Sequence, residues 1–169
     1  MFVGAGPVKR VVEVGVGEGF LSGHLSECFP DVSFTGVDLS ERDVGRLREK
    51  FPRIDAHVAP IEDLSVLSPP YDLVICCEVL EHVRDPALAI ESLVALGPKR
   101  LILSVPHEPY FMLSNLLRLK NVARLGNDPE HLHHFSARGF RALLERTLDV
   151  RYLELPYPWI LTLAEPRHR

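Results

Sequence analysis

Three glycines near the start of the chain occupy alternate positions where an apolar run gives way to a helical pattern. Residues 11–20 read VVEVGVGEGF and contain Gly15, Gly17 and Gly19. Because glycine permits a tight turn and has no side chain, it lets a nucleotide lie against the main chain. Asp38 ends the next apolar run, 23 positions after Gly15. An acidic residue about 20 positions beyond such a turn can accept hydrogen bonds from both ribose hydroxyls. The combination predicts a site for a ligand that contains a ribose.

The spacing of these glycines separates two classes of ligand. A dinucleotide site has the pattern GxGxxG, which brings a pyrophosphate to a helix N-terminus. The turn here is GxGxG, with Val16 between the first two glycines. We therefore expect a ribose and an amino-acid tail to lie against it, and Glu13 is acidic where such a tail would carry an ammonium group. A nicotinamide-dependent oxidoreductase is the competing hypothesis, which the spacing disfavours.

A second group of polar residues could act on a substrate proton or hold a metal ion. Its members are Glu78, Glu81 and His82, in the sequence EVLEH, and, downstream, His131, His133 and His134. Histidine titrates near neutral pH, so His82 is our first candidate to orient or deprotonate a substrate hydroxyl. Glu81 beside it and His134 from the downstream cluster are the other catalytic candidates. Alternatively, carboxylates and imidazoles together can surround a divalent ion.

The apolar pattern predicts the elements that would position these residues. Short apolar runs at 10–14, 32–37, 54–58, 71–77 and 100–105 alternate with segments of helical periodicity. Such alternation indicates a parallel sheet with helices on both faces. Two further runs, 149–155 and 158–164, have no clear helix between them and predict an antiparallel hairpin. We expect an α/β fold, a three-layer α/β/α sandwich around a Rossmann-like, mostly parallel, seven-stranded sheet, with the ligand at the carboxyl ends of the strands.

Capping residues predict where the helices begin. Ser40, with Asp43 three positions later, is typical of a helix start, and so is Asp85 followed by Pro86. Ser136 could cap a further helix. Residues 1–169 are expected to form a single domain, with 106–135 as a substrate lid or insert, since long connections are often functional.

Within this insert, residues 110–125 predict an apolar helix that also carries Arg118, Lys120 and Arg124. We expect a lid packed on the domain. Contact with a lipid-like substrate or a membrane surface is the alternative.

Three segments together resemble a known family. VVEVGVGEG at 11–19, VDLS at 37–40 and YDLVICCEVLEHV at 71–83 are similar to class I S-adenosylmethionine-dependent methyltransferases. Within that family they most resemble the ubiquinone and menaquinone biosynthesis methyltransferases. The resemblance implies an enzyme that uses S-adenosyl-L-methionine to methylate a small-molecule acceptor.

The resemblance also implies roles for particular residues. Glu13 and the turn from Gly15 to Gly19 would line the methionine part of the cofactor. Asp38 would hold the ribose hydroxyls, and Leu39 would lie against the adenine. Ile61 and Glu62 would flank the adenine edge, and Cys77 and Glu78 would lie beside the sulfonium and the amino-acid tail.

Two features depart from the family pattern and leave alternatives open. Pro60 stands where an acidic residue is common, so adenine recognition would depend on backbone groups. The first strand begins by residue 10, whereas related enzymes carry N-terminal helices over the active site. Residues 106–135 or a partner chain could supply that cover, or the chain could be a shortened form or a non-catalytic S-adenosylmethionine-binding domain.

The EVLEH block with a later histidine also resembles the metal-dependent small-RNA 2′-O-methyltransferases. The same block is common in metal-free small-molecule methylases, so the sequence alone assigns no metal ligand.

Composition limits the classes of partner and the cellular compartment that we expect for this chain. The chain has 169 residues and a formal net charge of −4, which argues against broad nucleic-acid binding. No stretch is long enough to predict a membrane span, and the N-terminus does not resemble a signal peptide. With three cysteines and no CxxC pair, the expected compartment is the cytoplasm. The oligomeric state stays open, a homodimer included.

Overall fold

A seven-stranded sheet runs through the centre of the computed structural model, which describes residues 7–167. Its strands are β1 (Arg10–Val14), β2 (Ser33–Asp38), β3 (Asp55–Val58), β4 (Leu73–Cys77), β5 (Arg100–Pro106), β6 (Leu148–Glu154) and β7 (Trp159–Pro166). The helices are α1 (Phe20–Cys28), α2 (Glu41–Lys50), α3 (Pro86–Ala95), α4 (Tyr110–Leu117) and α5 (Ala137–Leu144), with a 3₁₀ turn at Val122–Arg124.

The strand order is β3-β2-β1-β4-β5-β7-β6. Strands β1 to β5 pair in parallel, whereas β7 pairs antiparallel with both β5 and β6. The predicted fold class and C-terminal hairpin are therefore confirmed. The order reverses between β1 and β4, so their carboxyl ends flank the crevice where open α/β sheets bind ligands.

Both faces of the sheet are packed against helices. On one face, Val12, Val74 and Leu101 join a core cluster that includes residues of α3 and α5. On the other face, Val11 and Ile75 belong to a cluster with Val44 and Leu47 of α2. Alternate residues of each strand point to opposite faces, and this periodicity builds the predicted three layers.

All three predicted helix starts have the expected capping bonds. Ser136 Oγ accepts a hydrogen bond from the Gly139 amide at 3.1 Å. Ser40 Oγ accepts a hydrogen bond from the Asp43 amide at 3.3 Å. Asp85 Oδ1 accepts from the amides of Ala87 and Leu88 at 3.0 and 3.1 Å. Each cap satisfies amides that have no partner within the helix.

The predicted helix over 110–125 is wrong beyond Leu117. Leu119, Asn121 and Leu125 have left-handed φ angles of 57°, 52° and 53°, which a right-handed helix cannot contain. The chain instead folds back on Asn115, whose side-chain Nδ2 donates to the Gly126 carbonyl oxygen at 3.0 Å. This buried tertiary bond outweighs the helical preference of the apolar and basic residues that follow.

The two ends of the insert meet beside β5. His107 and Phe135 form a parallel bridge, and the Glu108 amide donates to the Phe135 carbonyl oxygen at 2.9 Å. A lid function for 106–135 stays a prediction, as does the single domain over 1–169. Residues 1–6, which include most of the N-terminal segment that does not resemble a signal peptide, lie outside the described residues, as do residues 168–169.

Within residues 7–167, no helix has the length and apolar character needed to cross a membrane.

Candidate functional site

The glycine turn lies on the carboxyl end of β2. The amides of Gly15 and Val16 both donate to the Val37 carbonyl oxygen, at 2.8 and 3.0 Å. Gly15, Gly17 and Gly19 have φ angles of 82°, 52° and 78°, in the left-handed region that favours glycine. This conformation lets the chain reverse within a few residues between β1 and α1.

Packing distinguishes the three glycines. A Cβ on Gly15 would lie 2.2 Å from Val79 Cγ2, and one on Gly19 would lie 2.2 Å from Leu47 Cδ1. A Cβ on Gly17 would meet no atom within 4 Å. Gly15 and Gly19 therefore pack closely against protein neighbours, whereas the space beside Gly17 is open.

Asp38 joins the turn to the start of α2. Its Oδ2 accepts a hydrogen bond from the Gly17 amide at 2.8 Å, and its Oδ1 accepts from the Ser40 amide at 2.9 Å. Each carboxylate oxygen can accept more than one hydrogen bond. Asp38 is thus held in place by the main chain and keeps acceptor capacity for a ligand's hydroxyls.

A cleft of about 370 Å³ opens at the carboxyl ends of β1, β2 and β4. Its lining residues are Val14, Gly15, Val37, Asp38, Leu39, Ala59, Pro60, Ile61, Glu62, Glu78, Val79, His82, Val83 and Arg84. The structure thus brings seven of the predicted site residues to one cleft: Gly15, Asp38, Leu39, Ile61, Glu62, Glu78 and His82. Its position matches the strand order, because parallel strands end at the same edge of a sheet.

Glu13 lies behind the turn rather than in the lining. It is only 5% exposed. One of its oxygens accepts hydrogen bonds from the amide of Ser22 at 3.1 Å and from the hydroxyl of the same serine. Burial raises the pKa of the Glu13 carboxyl, an effect that the Ser22 bonds oppose. Glu13 therefore ties β1 to α1, and its serine partner carries no signal in the sequence.

Val16 is also buried under the turn, in the cluster that includes Val44 and Leu47.

Glu78 begins the loop after β4 in a left-handed conformation, with φ at 58°. Its two carboxylate oxygens accept hydrogen bonds from Ser104 Oγ at 2.9 Å and Trp159 Nε1 at 2.7 Å. Burial raises the pKa of Glu78, while both bonds oppose that shift. Sequence reasoning missed Ser104 and Trp159, because only strand pairing places β5 beside β4 and β7 beside β5.

Cys77, the last residue of β4, is half-buried, and burial raises the pKa of its thiol to about 11.

A cluster of three side chains lies next to the cleft. Glu81, His82 and His131 each offer a ligand atom, and these atoms lie within 4.8 Å of one another. Glu81 Oε1 is 3.9 Å from His82 Nε2, and the imidazole rings of His82 and His131 meet edge to face at 5.0 Å. Burial raises the pKa of Glu81 to about 8 and lowers the pKa of His131.

Of the three downstream histidines, His131 joins this cluster and the other two contact different groups. His133 Nε2 lies 2.9 Å from the Val83 carbonyl oxygen. His134 is exposed, and its Nε2 lies 2.7 Å from Asn127 Oδ1. The sequence identified the histidine cluster, but the member that meets His82 depends on how the insert folds back.

Main-chain bonds hold the histidine segment against the EVLEH loop. The amides of Leu132 and His133 donate to the Glu81 carbonyl oxygen at 2.8 and 3.1 Å. His82 Nδ1 lies 3.0 Å from the Glu130 carbonyl oxygen. Because a carbonyl oxygen can only accept, Nδ1 carries a proton, so in the neutral imidazole the lone pair of His82 is on Nε2.

A family model and individual proteins that match this chain are all described as methyltransferases. A family model described as a methyltransferase domain matches residues 2–147. The chain is 40% identical over 94 residues to a ubiquinone biosynthesis O-methyltransferase of Bordetella parapertussis, an alignment that covers 53% of this chain and 38% of the relative. The chain therefore spans well under half the length of that relative.

Solved structures share the fold over nearly the whole chain. The magnesium protoporphyrin IX methyltransferase of Synechocystis PCC 6803 superposes with a TM-score of 0.74 at 22% identity, covering 95% of this chain and 75% of that one. A plantazolicin methyltransferase superposes with a TM-score of 0.81 at 13% identity, covering 96% and 77%.

Proposed function

The chain belongs to the methyltransferase domain family, and from that premise we propose that it transfers the methyl group of S-adenosyl-L-methionine to a hydroxyl of a small-molecule acceptor. The observation that carries the proposal is the position of Asp38, which is held beside the open space at Gly17 and lines the cleft. A hydroxyl acceptor is favoured by the O-methyltransferase relative and by the histidine that lines the cleft.

The nucleoside end of the cofactor fits the part of the cleft between β2 and the loop after β3. Asp38 would accept hydrogen bonds from the ribose hydroxyls. Leu39, which is 73% exposed, would cover one face of the adenine. Ile61 and Glu62 line the same cleft and would meet the adenine edge. With Pro60 unable to donate through its backbone, the amides that follow it would serve the adenine nitrogens.

The methionine end fits the part of the cleft between the glycine turn and Glu78. The sulfonium and ammonium groups are cationic, and Glu78 supplies a carboxylate there. Gly17 leaves room for the ligand. Glu13, Val16 and Gly19 would shape the turn from behind, and Cys77, the last residue of β4, would lie beside the sulfonium.

Transfer itself needs little more than alignment, because the sulfonium is already a strong electrophile. In the proposed step an acceptor oxygen attacks the methyl carbon, a C–O bond forms, the S–C bond breaks and its electron pair stays on sulfur. The acceptor proton passes to a base. In the neutral ring the lone pair on His82 Nε2 can take it, with Glu81 Oε1 3.9 Å from that nitrogen. His131, rather than His134, is placed to assist His82.

Location and partners complete the proposal. The three cysteines, Cys28, Cys76 and Cys77, are all unpaired, which favours a reducing compartment, and we propose the cytoplasm. The acceptor is a small molecule rather than a nucleic acid, as the negative net charge also favours.

Calorimetric titration of the purified chain tests the proposal. We expect it to bind S-adenosylmethionine and S-adenosylhomocysteine, and not NADH. Asp38→Asn should weaken binding at least tenfold, since an amide replaces a carboxylate acceptor. Asp55→Asn is the matched control, because Asp55 lies at the opposite end of the neighbouring strand β3. Equal binding by wild type and Asp38→Asn would overturn the assignment of the cofactor site.

Turnover is measured separately, by release of S-adenosylhomocysteine with a panel of hydroxylated small molecules. Cofactor binding without turnover on any acceptor would favour a non-catalytic binding domain.

A further inference from the structure

One cationic side chain in the cleft has no part in the proposed transfer. Arg84 is exposed and lines the cleft, two positions after His82. Of the fourteen lining residues, it is the only lysine or arginine. Three others carry carboxylates: Asp38, Glu62 and Glu78. Because a guanidinium is not deprotonated in proteins, Arg84 supplies the permanent positive charge of an otherwise acidic cleft.

Arg84 does not pair with any of these carboxylates. Its guanidinium forms neither an ion pair nor a hydrogen bond with any residue among 7–167. Asp38 accepts hydrogen bonds from main-chain amides instead, and Glu78 accepts them from side chains of β5 and β7. The five N–H donors of the guanidinium are therefore available to a ligand in the cleft.

Hydrogen bonds fix the main chain on both sides of Arg84. The carbonyl oxygen of Val83 lies 2.9 Å from His133 Nε2. On the other side, Asp85 caps α3 by accepting from two amides of its first turn. The Arg84 side chain therefore projects from an ordered stretch of main chain, so that only the side chain itself has to be ordered when it binds a ligand.

The assignments already made in the cleft leave one charged group of the cofactor without a partner. Under the proposed function, on which this inference rests, Asp38 binds the ribose and Glu78 faces the sulfonium and ammonium groups. The carboxylate of the methionine end has no cationic arginine or lysine in the lining except Arg84. An acceptor that carries a carboxylate would need the same cation, because the neighbouring carboxylates would repel it.

We propose that Arg84 binds a carboxylate in the cleft, supplied either by the methionine end of the cofactor or by a hydroxylated carboxylic acid as acceptor. A planar guanidinium can donate two parallel N–H···O bonds to a carboxylate, a geometry that lysine lacks. An acceptor held in this way would present its hydroxyl to His82, which lines the same cleft.

Two nucleosides test the cofactor as the source. S-adenosylhomocysteine carries the amino-acid tail, whereas 5′-methylthioadenosine lacks it. Both are titrated calorimetrically into wild type and Arg84→Gln. If the cofactor supplies the carboxylate, the variant should lose about 10- to 100-fold in affinity for S-adenosylhomocysteine, as expected for a hydrogen bond between charged groups, and bind 5′-methylthioadenosine as wild type does. An equal loss for both nucleosides would place Arg84 against the nucleoside and overturn the proposal.

Matched acids and amides test the acceptor as the source. Protein saturated with S-adenosylhomocysteine is titrated with 3-hydroxybenzoate, lactate and their amides, and binding is followed by saturation-transfer NMR. If the acceptor supplies the carboxylate, wild type should bind an acid at least about tenfold better than its amide, and Arg84→Gln should lose that preference while it keeps its affinity for S-adenosylhomocysteine.

Arg138→Gln is the matched control, because Arg138 is an exposed arginine on α5 outside the cleft lining and its loss changes the net charge equally. Arg84→Lys keeps the charge without the planar fork and should recover only part of the lost affinity. The role of Arg84 is refuted if Arg84→Gln matches wild type both in affinity for S-adenosylhomocysteine and in discrimination between acid and amide. Wild type that binds neither nucleoside would overturn the proposed function itself, and the role of Arg84 with it.

Discussion

Trp159 Nε1 donates a hydrogen bond of 2.7 Å to Glu78 Oε2, joining two residues 81 positions apart in the sequence. The bond links the start of β7 to the loop after β4. With Ser104 Oγ on the other oxygen, it holds Glu78 in a left-handed conformation at the edge of the cleft. The orientation of this carboxylate is therefore set by β5 and β7, two strands whose residues do not line the cleft.

Replacing Trp159 with phenylalanine should weaken cofactor binding while the fold persists. Phenylalanine keeps an aromatic ring but has no N–H donor, so Glu78 loses one of its two side-chain hydrogen bonds. We expect the free energy of unfolding to fall by about 1 kcal/mol. We expect KM for S-adenosylmethionine to rise several-fold with a smaller fall in kcat. Tyr152→Phe, at a position 63% exposed on β6, is the control. A fall in kcat with KM unchanged would contradict a role in positioning Glu78.

Alanine substitutions at Gly15 and Gly17 should distinguish the role of Gly15 in packing from the proposed role of Gly17 in ligand binding. Gly15→Ala places a methyl group against Val79 and should lower the free energy of unfolding by about 1–3 kcal/mol. Gly17 has open space around it, so Gly17→Ala should lower the free energy of unfolding by only about 1 kcal/mol, because of the positive φ angle. We expect this substitution to reduce cofactor affinity more than Gly15→Ala does. Chemical denaturation and calorimetric titration measure the two effects. A larger loss of stability in Gly17→Ala than in Gly15→Ala would refute the distinction.

Asp72 should stabilise the fold in a pH-dependent way. It accepts hydrogen bonds from Lys99 Nζ and the amides of Lys9 and Arg10, and the Lys99 bond foremost lowers its pKa from 3.8 to about 2. Because the pKa is depressed in the folded state, the contribution is fully present above pH 4 and is lost as pH falls towards 2. Asp72→Asn should cost about 1–2 kcal/mol at pH 7, after allowance for solvent screening of the Lys99 partner.

The check is urea denaturation of wild type and Asp72→Asn between pH 7 and pH 2.5, where the difference between the two should shrink with acidification. Asp149→Asn, which removes an exposed ion pair with Arg167, should change stability by less than about 0.5 kcal/mol throughout. A difference for Asp72→Asn that does not vary with pH would be inconsistent with this assignment.

Thiol reactivity should distinguish Cys28 from Cys77. Cys28 is exposed at the end of α1, whereas burial raises the pKa of Cys77 to about 11, so little thiolate forms at pH 8. Titration with an aromatic disulfide at pH 8 should show one fast thiol, which Cys28→Ser removes. Fast reaction in the Cys28→Ser protein would show that Cys77 is more accessible than its burial indicates.

Periodicity and turn chemistry determined most of the fold without reference to tertiary contacts. Strand runs bounded by glycine turns, the Ser40 and Asp85 caps and the C-terminal hairpin are local patterns, and each forms where it was predicted. The predicted helix over 110–125 does not continue beyond Leu117, because the Asn115 side chain donates a hydrogen bond to the Gly126 carbonyl oxygen, 11 positions later. No local pattern contains that contact.

The same distinction between local patterns and tertiary contacts applies to the residues of the candidate site. The sequence by itself determined the glycine turn, Asp38 and the EVLEH block, because these residues follow strand ends that any parallel sheet brings to one edge. Only the tertiary structure decided that Trp159 and Ser104 hold Glu78, and that His131 rather than His134 meets His82. Those relationships depend on strand pairing and on the path of the long insert 106–135. In both cases the conformation is determined by contacts between residues far apart in the chain rather than by local sequence preference.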